Sequence, residues 1–186
     1  MRRREMLSLA MAAGFARSLP AAETAAQPGG GASHDARSAP AAIQAADGEL
    51  VYVGRDPVLI KLSPQGAKGR FAMITQDVSP GTVIPIHAHD NEDEVIFIQS
   101  GTGEASVGDR MVALAAGSTL FVPQGTWHGG RNTGTETLKW VAIYSPSGFE
   151  GYFREIGRRA PGDPPRSRTP AEREALDRQY AIRYRG

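Results

Sequence analysis

Two histidines one residue apart, His87 and His89, stand in the stretch GTVIPIHAHDNEDEVIFIQSG, residues 81–101. Four acidic or amide residues follow them, and then a glutamate, Glu94, opens an apolar run. Side chains alternate faces along a strand, so histidines two positions apart point the same way and present half of a metal site. Asp90, Asn91, Glu92 and Asp93 form a polar connection, and a fold-back there can aim the Glu94 carboxylate at the same point. A second cluster, GSTLFVPQGTWHGGRN, residues 117–132, ends an apolar strand at Pro123, turns at Gln124-Gly125 and sets His128 just beyond. Any one of these histidines alone reads as a polar residue hydrogen-bonded at a strand end. Three of them with a glutamate, arranged by two strand-turn-strand units, read as a metal centre.

The elements that must position these groups are short. The runs LVYV, VLIKL, RFAMITQDV, TVIPIHAH, EVIFIQ, GEASVG, RMVALAA, STLFVP and TLKWVAIYS follow one another with Gly, Pro, Asp and Asn between them, the pattern of an all-β sandwich or barrel. On the strand that Glu94 opens, Ile96 and Ile98 share its face, and Val95 and Phe97 occupy the other. That strand should be covered on both sides, inside by the barrel and outside by another sheet, a helix or a second copy of the chain, so a homodimer is among the expected arrangements. After residue 147 the pattern changes. Ser147 to Glu150 and Thr169 to Glu172 each offer a capping box, the second with Pro170 at the first helical position, and two short helices are predicted. In the first helix Phe149, Tyr152, Phe153 and Ile156 recur at helical spacing, a stripe that faces the core, closes the barrel mouth or packs a dimer.

The chain has 186 residues and no cysteine, which excludes a disulfide framework and thiolate metal sites. Its formal net charge is +1, but four arginines and one glutamate fall in the first 22 residues, so the remainder carries about −2 and suggests no nucleic-acid partner. That amino-terminal stretch, MRRREMLSLAMAAGFARSLPAA, has a basic region, an apolar segment too short to span a bilayer, and small residues after it. With Arg3-Arg4 ahead of the segment it resembles a twin-arginine export signal, which implies a periplasmic or secreted protein with no membrane anchor after processing. The organisation expected is an export signal over 1–22, a disordered Ala/Gly/Pro/Ser linker over 23–47 that holds the exposed His34, a β-barrel domain over 48–147 and a helical extension over 148–186.

Both histidine clusters resemble the two motifs of the cupin superfamily. Gly81, His87, His89, Glu94 and Gly101 match G-x5-H-x-H-x4-E-x6-G, and Gly117, Pro123, Gly125, His128 and Asn132 match G-x5-P-x-G-x2-H-x3-N. The spacing selects Glu94, which alone stands at the motif's distance from Gly101, over Glu92 and Asp93. The resemblance implies a double-stranded β-helix, or jelly roll, in which His87, His89, Glu94 and His128 hold one divalent ion. Imidazole and carboxylate donors suit iron, manganese, nickel, cobalt or zinc. Gly81, Gly101, Gly117, Gly125 and Asn132 are assigned to turns.

In the tail, the stretches SPSGFEGYFREIG and EALDRQYAIRYRG are similar to those of small bacterial cupins grouped with quercetin 2,3-dioxygenase-like proteins. That similarity implies an oxygenase taking dioxygen and an aromatic or enol-type small molecule, with Glu94 as general base. Oxalate oxidation or decarboxylation, isomerisation and cyclisation are other chemistries of the same ligand set, and a non-catalytic module that binds a metal or small molecule is the reading from a different class. Trp127 is a candidate pocket wall. Arg131 is the nearest basic residue in sequence for a carboxylate substrate, or else a solvent-exposed one.

Overall fold

Strict alternation of buried and outward-facing residues sets the strands of this computed structural model, which describes residues 40–63 and 69–185. In β3, Ala72–Val78, and β10, Leu138–Ser145, every second side chain is buried, so Ile74, Val78, Leu138 and Ala142 lie in the core. The remaining strands are β1 Glu49–Val53, β2 Asp56–Leu62, β4 Val83–His89, β5 Asp93–Ser100, β6 Gly103–Val107, β7 Arg110–Leu114, β8 Thr119–Val122, β9 His128–Arg131 and β11 Ile182–Tyr184. They form two antiparallel sheets, one of order β1-β2-β3-β10-β5-β8 and one of order β11-β4-β9-β6-β7. The chain is all-β with short helices near its end, a double-stranded β-helix as expected. Nine of the strands coincide with the nine apolar runs; β9 and β11 are additional.

The expected export signal at residues 1–22 lies outside the described residues, as does most of the 23–47 linker. Within the rest of that linker Gln44 to Asp47 form a turn, whose backbone carbonyls accept from Lys61 Nζ. No described helix is long and apolar enough to cross a membrane. The carboxy-terminal extension contains the two helices, α1 Glu150–Ile156 and α2 Pro170–Gln179, but then returns as β11 to the edge of the five-stranded sheet.

One local expectation is corrected. The first helix has no capping box: Phe149 is its cap, and the Glu150 carboxylate accepts from Gly148 N–H at 2.8 Å in place of any contact to Ser147. Thr169 does form the predicted box, with Glu172 N–H donating to its hydroxyl and Glu172 Oε2 accepting from Thr169 N–H at 2.6 Å. On the outer face of β5, Phe97 is exposed in this single chain beside exposed Phe121 and Ile143, the face for which cover by another element or a second copy was expected. The motif glycines all adopt positive φ. At Gly101 a side chain would also meet the Thr137 carbonyl oxygen at 2.6 Å, so the turn that ends β5 excludes one on two counts.

Candidate metal centre

The two sheets bring one group of ligands face to face. His87 and His89 project from β4, and His128 begins the neighbouring strand β9, directly opposite His87. Glu94 comes from β5 on the other sheet, where it stands between Val122 of β8 and Tyr144 of β10. The imidazole rings of His87 and His89 are 4.9 Å apart between centroids, and those of His87 and His128 are 4.1 Å apart. One ligand atom from each of the four residues lies within 4.8 Å of all the others. Ions of this class bind at about 2.0–2.2 Å, so the four donors have to draw together somewhat to hold one.

Local structure explains how the sequence achieves this. The β4–β9 register shifts between Ile84 and His87, next to Pro85, which has no N–H to give to a ladder. The freed Pro85 carbonyl faces His87 Nδ1 at 2.8 Å, and the Thr126 carbonyl likewise faces His128 Nδ1 at 2.9 Å. A carbonyl only accepts, so both Nδ1 atoms carry the proton and both Nε2 lone pairs are left for an ion. Gly129 follows His128 because a side chain there would meet the Ile84 carbonyl oxygen at 2.8 Å. The turn before His128 is tied to the other ligand strand by Gly125 N–H, which donates to the His89 carbonyl at 2.7 Å.

The donor set fits a divalent transition ion. Both His89 nitrogens, His128 Nε2 and Glu94 Oε2 are buried without a hydrogen-bond partner, a costly state for polar atoms. Although Glu94 Oε2 is 2.9 Å from His128 Nε2 and 3.6 Å from His89 Nε2, the groups are not aligned as hydrogen bonds, whereas an ion among them would satisfy one atom of each residue at once. Burial, then the neighbouring His128 and His89, lowers the His87 pKa to about 4, so it is neutral and ready to ligate. Burial opposes protonation of His128 too, but the Glu94 charge overrides it and raises the pKa. For Glu94, burial alone would act upward, yet His128 and His89 hold its carboxyl well below the usual range.

The ligands open onto a cavity of about 340 Å³ between the sheets. Its wall includes Ile84, Ile96, Leu120, Trp140 and the whole helical stripe Phe149, Tyr152, Phe153 and Ile156, so that stripe is both core and cavity lining. Trp127 and Arg131 are absent from the wall. Trp127 instead packs under the guanidinium groups of Arg183 and Arg185, at 4.8 and 4.6 Å, and Arg131 pairs on the surface with Glu104. Asn132 serves its turn, donating to the Val78 and Glu136 carbonyls. Three residues beside the centre had no signal in the sequence. Tyr144, buried and paired in register with Glu94, is one; its pKa is raised by burial and by the Glu94 charge. Tyr184 of β11 brings its ring 5.9 Å from that of His87. Glu92 is buried, not solvated, and burial, Glu150 and Glu94 raise its pKa to about 7.

Residues 74–144 match the family model of the cupin domain. That stretch is a cupin domain. An oxalate-binding protein of Thermotoga maritima is 31% identical to this cupin over 64 residues, 34% of this chain and 53% of that protein. Quercetin 2,3-dioxygenase of Bacillus subtilis is 25% identical over 118 residues, 63% of this chain and 35% of that one. The cupin therefore spans about half or less of the length of these curated relatives. The crystal structure of a predicted oxalate decarboxylase from Thermotoga maritima superposes with a TM-score of 0.53 at 21% identity, over 57% of this chain and 99% of that one, a likeness of fold.

Proposed function

We propose that this cupin is a metal-dependent dioxygenase of an aromatic or enol-type small molecule, quercetinase-like in its chemistry. The observation that carries the reading is the wall of the cavity: it is aromatic and aliphatic around the four ligands, and it contains no Lys or Arg. A dianion as small as oxalate would find no guanidinium or ammonium group there and only the ion itself for a counter-charge, whereas a planar apolar molecule is received by Phe149, Tyr152, Phe153 and Ile156.

Within that reading His87, His89, His128 and Glu94 hold the ion, which when bound supplies Lewis acidity and open coordination positions. The Pro85 and Thr126 carbonyls keep two imidazoles in the ligating tautomer. Glu94 takes the proton of a substrate hydroxyl, with Tyr144 of the neighbouring strand beside it. The aromatic stripe excludes water from the reacting end.

The test is Glu94→Gln, with metal content and flavonol-dependent oxygen uptake measured on one preparation. A glutamine keeps a weak oxygen ligand and loses the basicity. We expect a substantial fraction of the metal to remain and the rate to fall about 10²-fold or more. Full rate with full metal content removes Glu94 from the mechanism. Substrate loss without oxygen uptake by the native protein indicates a lyase or isomerase, and binding with no turnover indicates a carrier.

A further inference from the structure

The wall of the metal cavity is not apolar throughout. Asp56 of β2 and Gln76 of β3 both line it, and both are buried, with 2% and 6% of their surface exposed. Gln76 interrupts the inward row of β3 between Ile74 and Val78. Among the described residues no hydrogen bond engages its amide, a costly state for a buried group unless the space it faces supplies a partner. Asp56 Oδ1 accepts from Ser79 N–H at 3.1 Å, and no cation among the described residues pairs with this carboxylate.

Register fixes where the two stand. Val58 pairs with Gln76, and Asp56 is the next inward residue of β2, so the polar side chains are diagonal neighbours, about 7–8 Å apart between Cα atoms. Gln76 also lies opposite Trp140 of β10, four residues ahead of Tyr144, which is opposite Glu94. At about 3.3 Å per residue the polar pair is thus roughly 13 Å along the sheet from the level of Glu94. Helix α1 covers the same interval. The Phe149 ring is 4.1 Å from that of His89, and beyond the other end of the helix Gly157 abuts Val51, which pairs with Val58.

We propose that Asp56 and Gln76 bind a second hydroxyl of the substrate, at the end of the cavity remote from the metal ligands, and so select an elongated aromatic molecule with a hydroxyl at each end. The proposal rests on the reading of this cavity as the site of an aromatic or enol-type substrate. It follows from what the pair can exchange: a carboxylate only accepts, an amide donates and accepts, and a hydroxyl does both with one atom. Such a group gives its proton to Asp56 and takes one from Gln76. A substrate carboxylate would face Asp56 as a like charge, and an ether oxygen would leave it unanswered. The aromatic stripe carries the planar body between the two ends.

Anaerobic calorimetric titration of the metal-loaded protein with kaempferol and with galangin tests this. The two flavonols differ by one hydroxyl on the pendant ring, remote from the hydroxyl of the heterocycle, so galangin reports the cavity and the difference reports the polar pair. We expect kaempferol to bind about tenfold tighter or more. Asp56→Asn keeps an oxygen for Ser79 N–H and exchanges the free acceptor for a donor, while Gln76→Met keeps the length and removes the amide. Each should lower the preference about threefold or more and leave galangin unchanged. Equal binding of the two flavonols by the native protein overturns the inference and leaves the cavity reading intact. A preference untouched by either substitution overturns it as well, and loss of galangin together with kaempferol in both variants makes the pair structural and does the same. Failure of both flavonols to bind the native protein overturns both readings.

Discussion

His87 and His128 are chemically alike and electrostatically opposite, and the difference is testable without a substrate. His87 is held down to about 4, so it is neutral at any pH near 7, whereas His128 is raised by Glu94 and retains its proton over a wider range. A raised histidine contributes stability below its unfolded value of about 6.5, and the contribution is lost as pH rises through the higher folded value. Metal must displace that same proton. Affinity should therefore climb with pH across the window just above 6.5 and flatten beyond the His128 value, with release of about one proton per ion inside the window. Titration in buffers of different ionisation enthalpy measures that proton. Release of two, or of none, at pH 6.5 would show that the imidazoles do not divide their roles in this way. At this scale much of the site was legible, because the H-x-H spacing and the two motifs name all four ligands. Tyr144 was not legible: it reads as one more inward position of β10, and only the register that sets it opposite Glu94 gives it a role.

Among the elements, β11 contributes most to the site for its length. It pairs Ile182 with His89 and Tyr184 with His87, and Arg183 clasps Asp90 with contacts of 2.6 and 2.7 Å. The ion pair is half exposed and surface pairs contribute little, while Ile182 is buried against the core and lines the cavity. Burial should win: Ile182→Ala should cost about 2–4 kcal/mol in denaturant unfolding, and Arg183→Ala far less. A larger loss from Arg183→Ala would make the salt bridge the true fastening. Sequence reasoning missed this strand because three residues after a helix carry no alternation to detect. The apolar runs leave out β9, which only the second strand-turn-strand unit implied, because HGGR has no strand propensity; Gly129 admits the backbone of β4 and Gly130 that of β6, a tertiary demand invisible in one strand's own sequence. The long runs of β3, β5 and β10 were plain, since their period of two is the same signal that buries them.

On the scale of the whole molecule, the ligands join the two sheets at one point, and four polar atoms there lack partners. An ion that binds only the folded form adds about 2.7 kcal/mol at a free concentration of 100 times its dissociation constant. For a domain of this size that raises the melting temperature by about 5–10 °C, and a chelator should remove the gain. Calorimetry of stripped and reloaded protein measures it, and equal melting temperatures at saturating metal would mean that the ion is not held between the sheets. The pairing of β11 with β4 bears equally on how the protein should be handled. Tyr184 stands against His87, and Arg185 N–H donates to the Ile86 carbonyl, so these few residues are part of the cavity wall. Proteolytic loss of residues 182–185 would open that wall. Preparations that differ only over these residues should differ in metal retention and ligand affinity, and a sample shown by mass to retain them is the one on which either property should be measured.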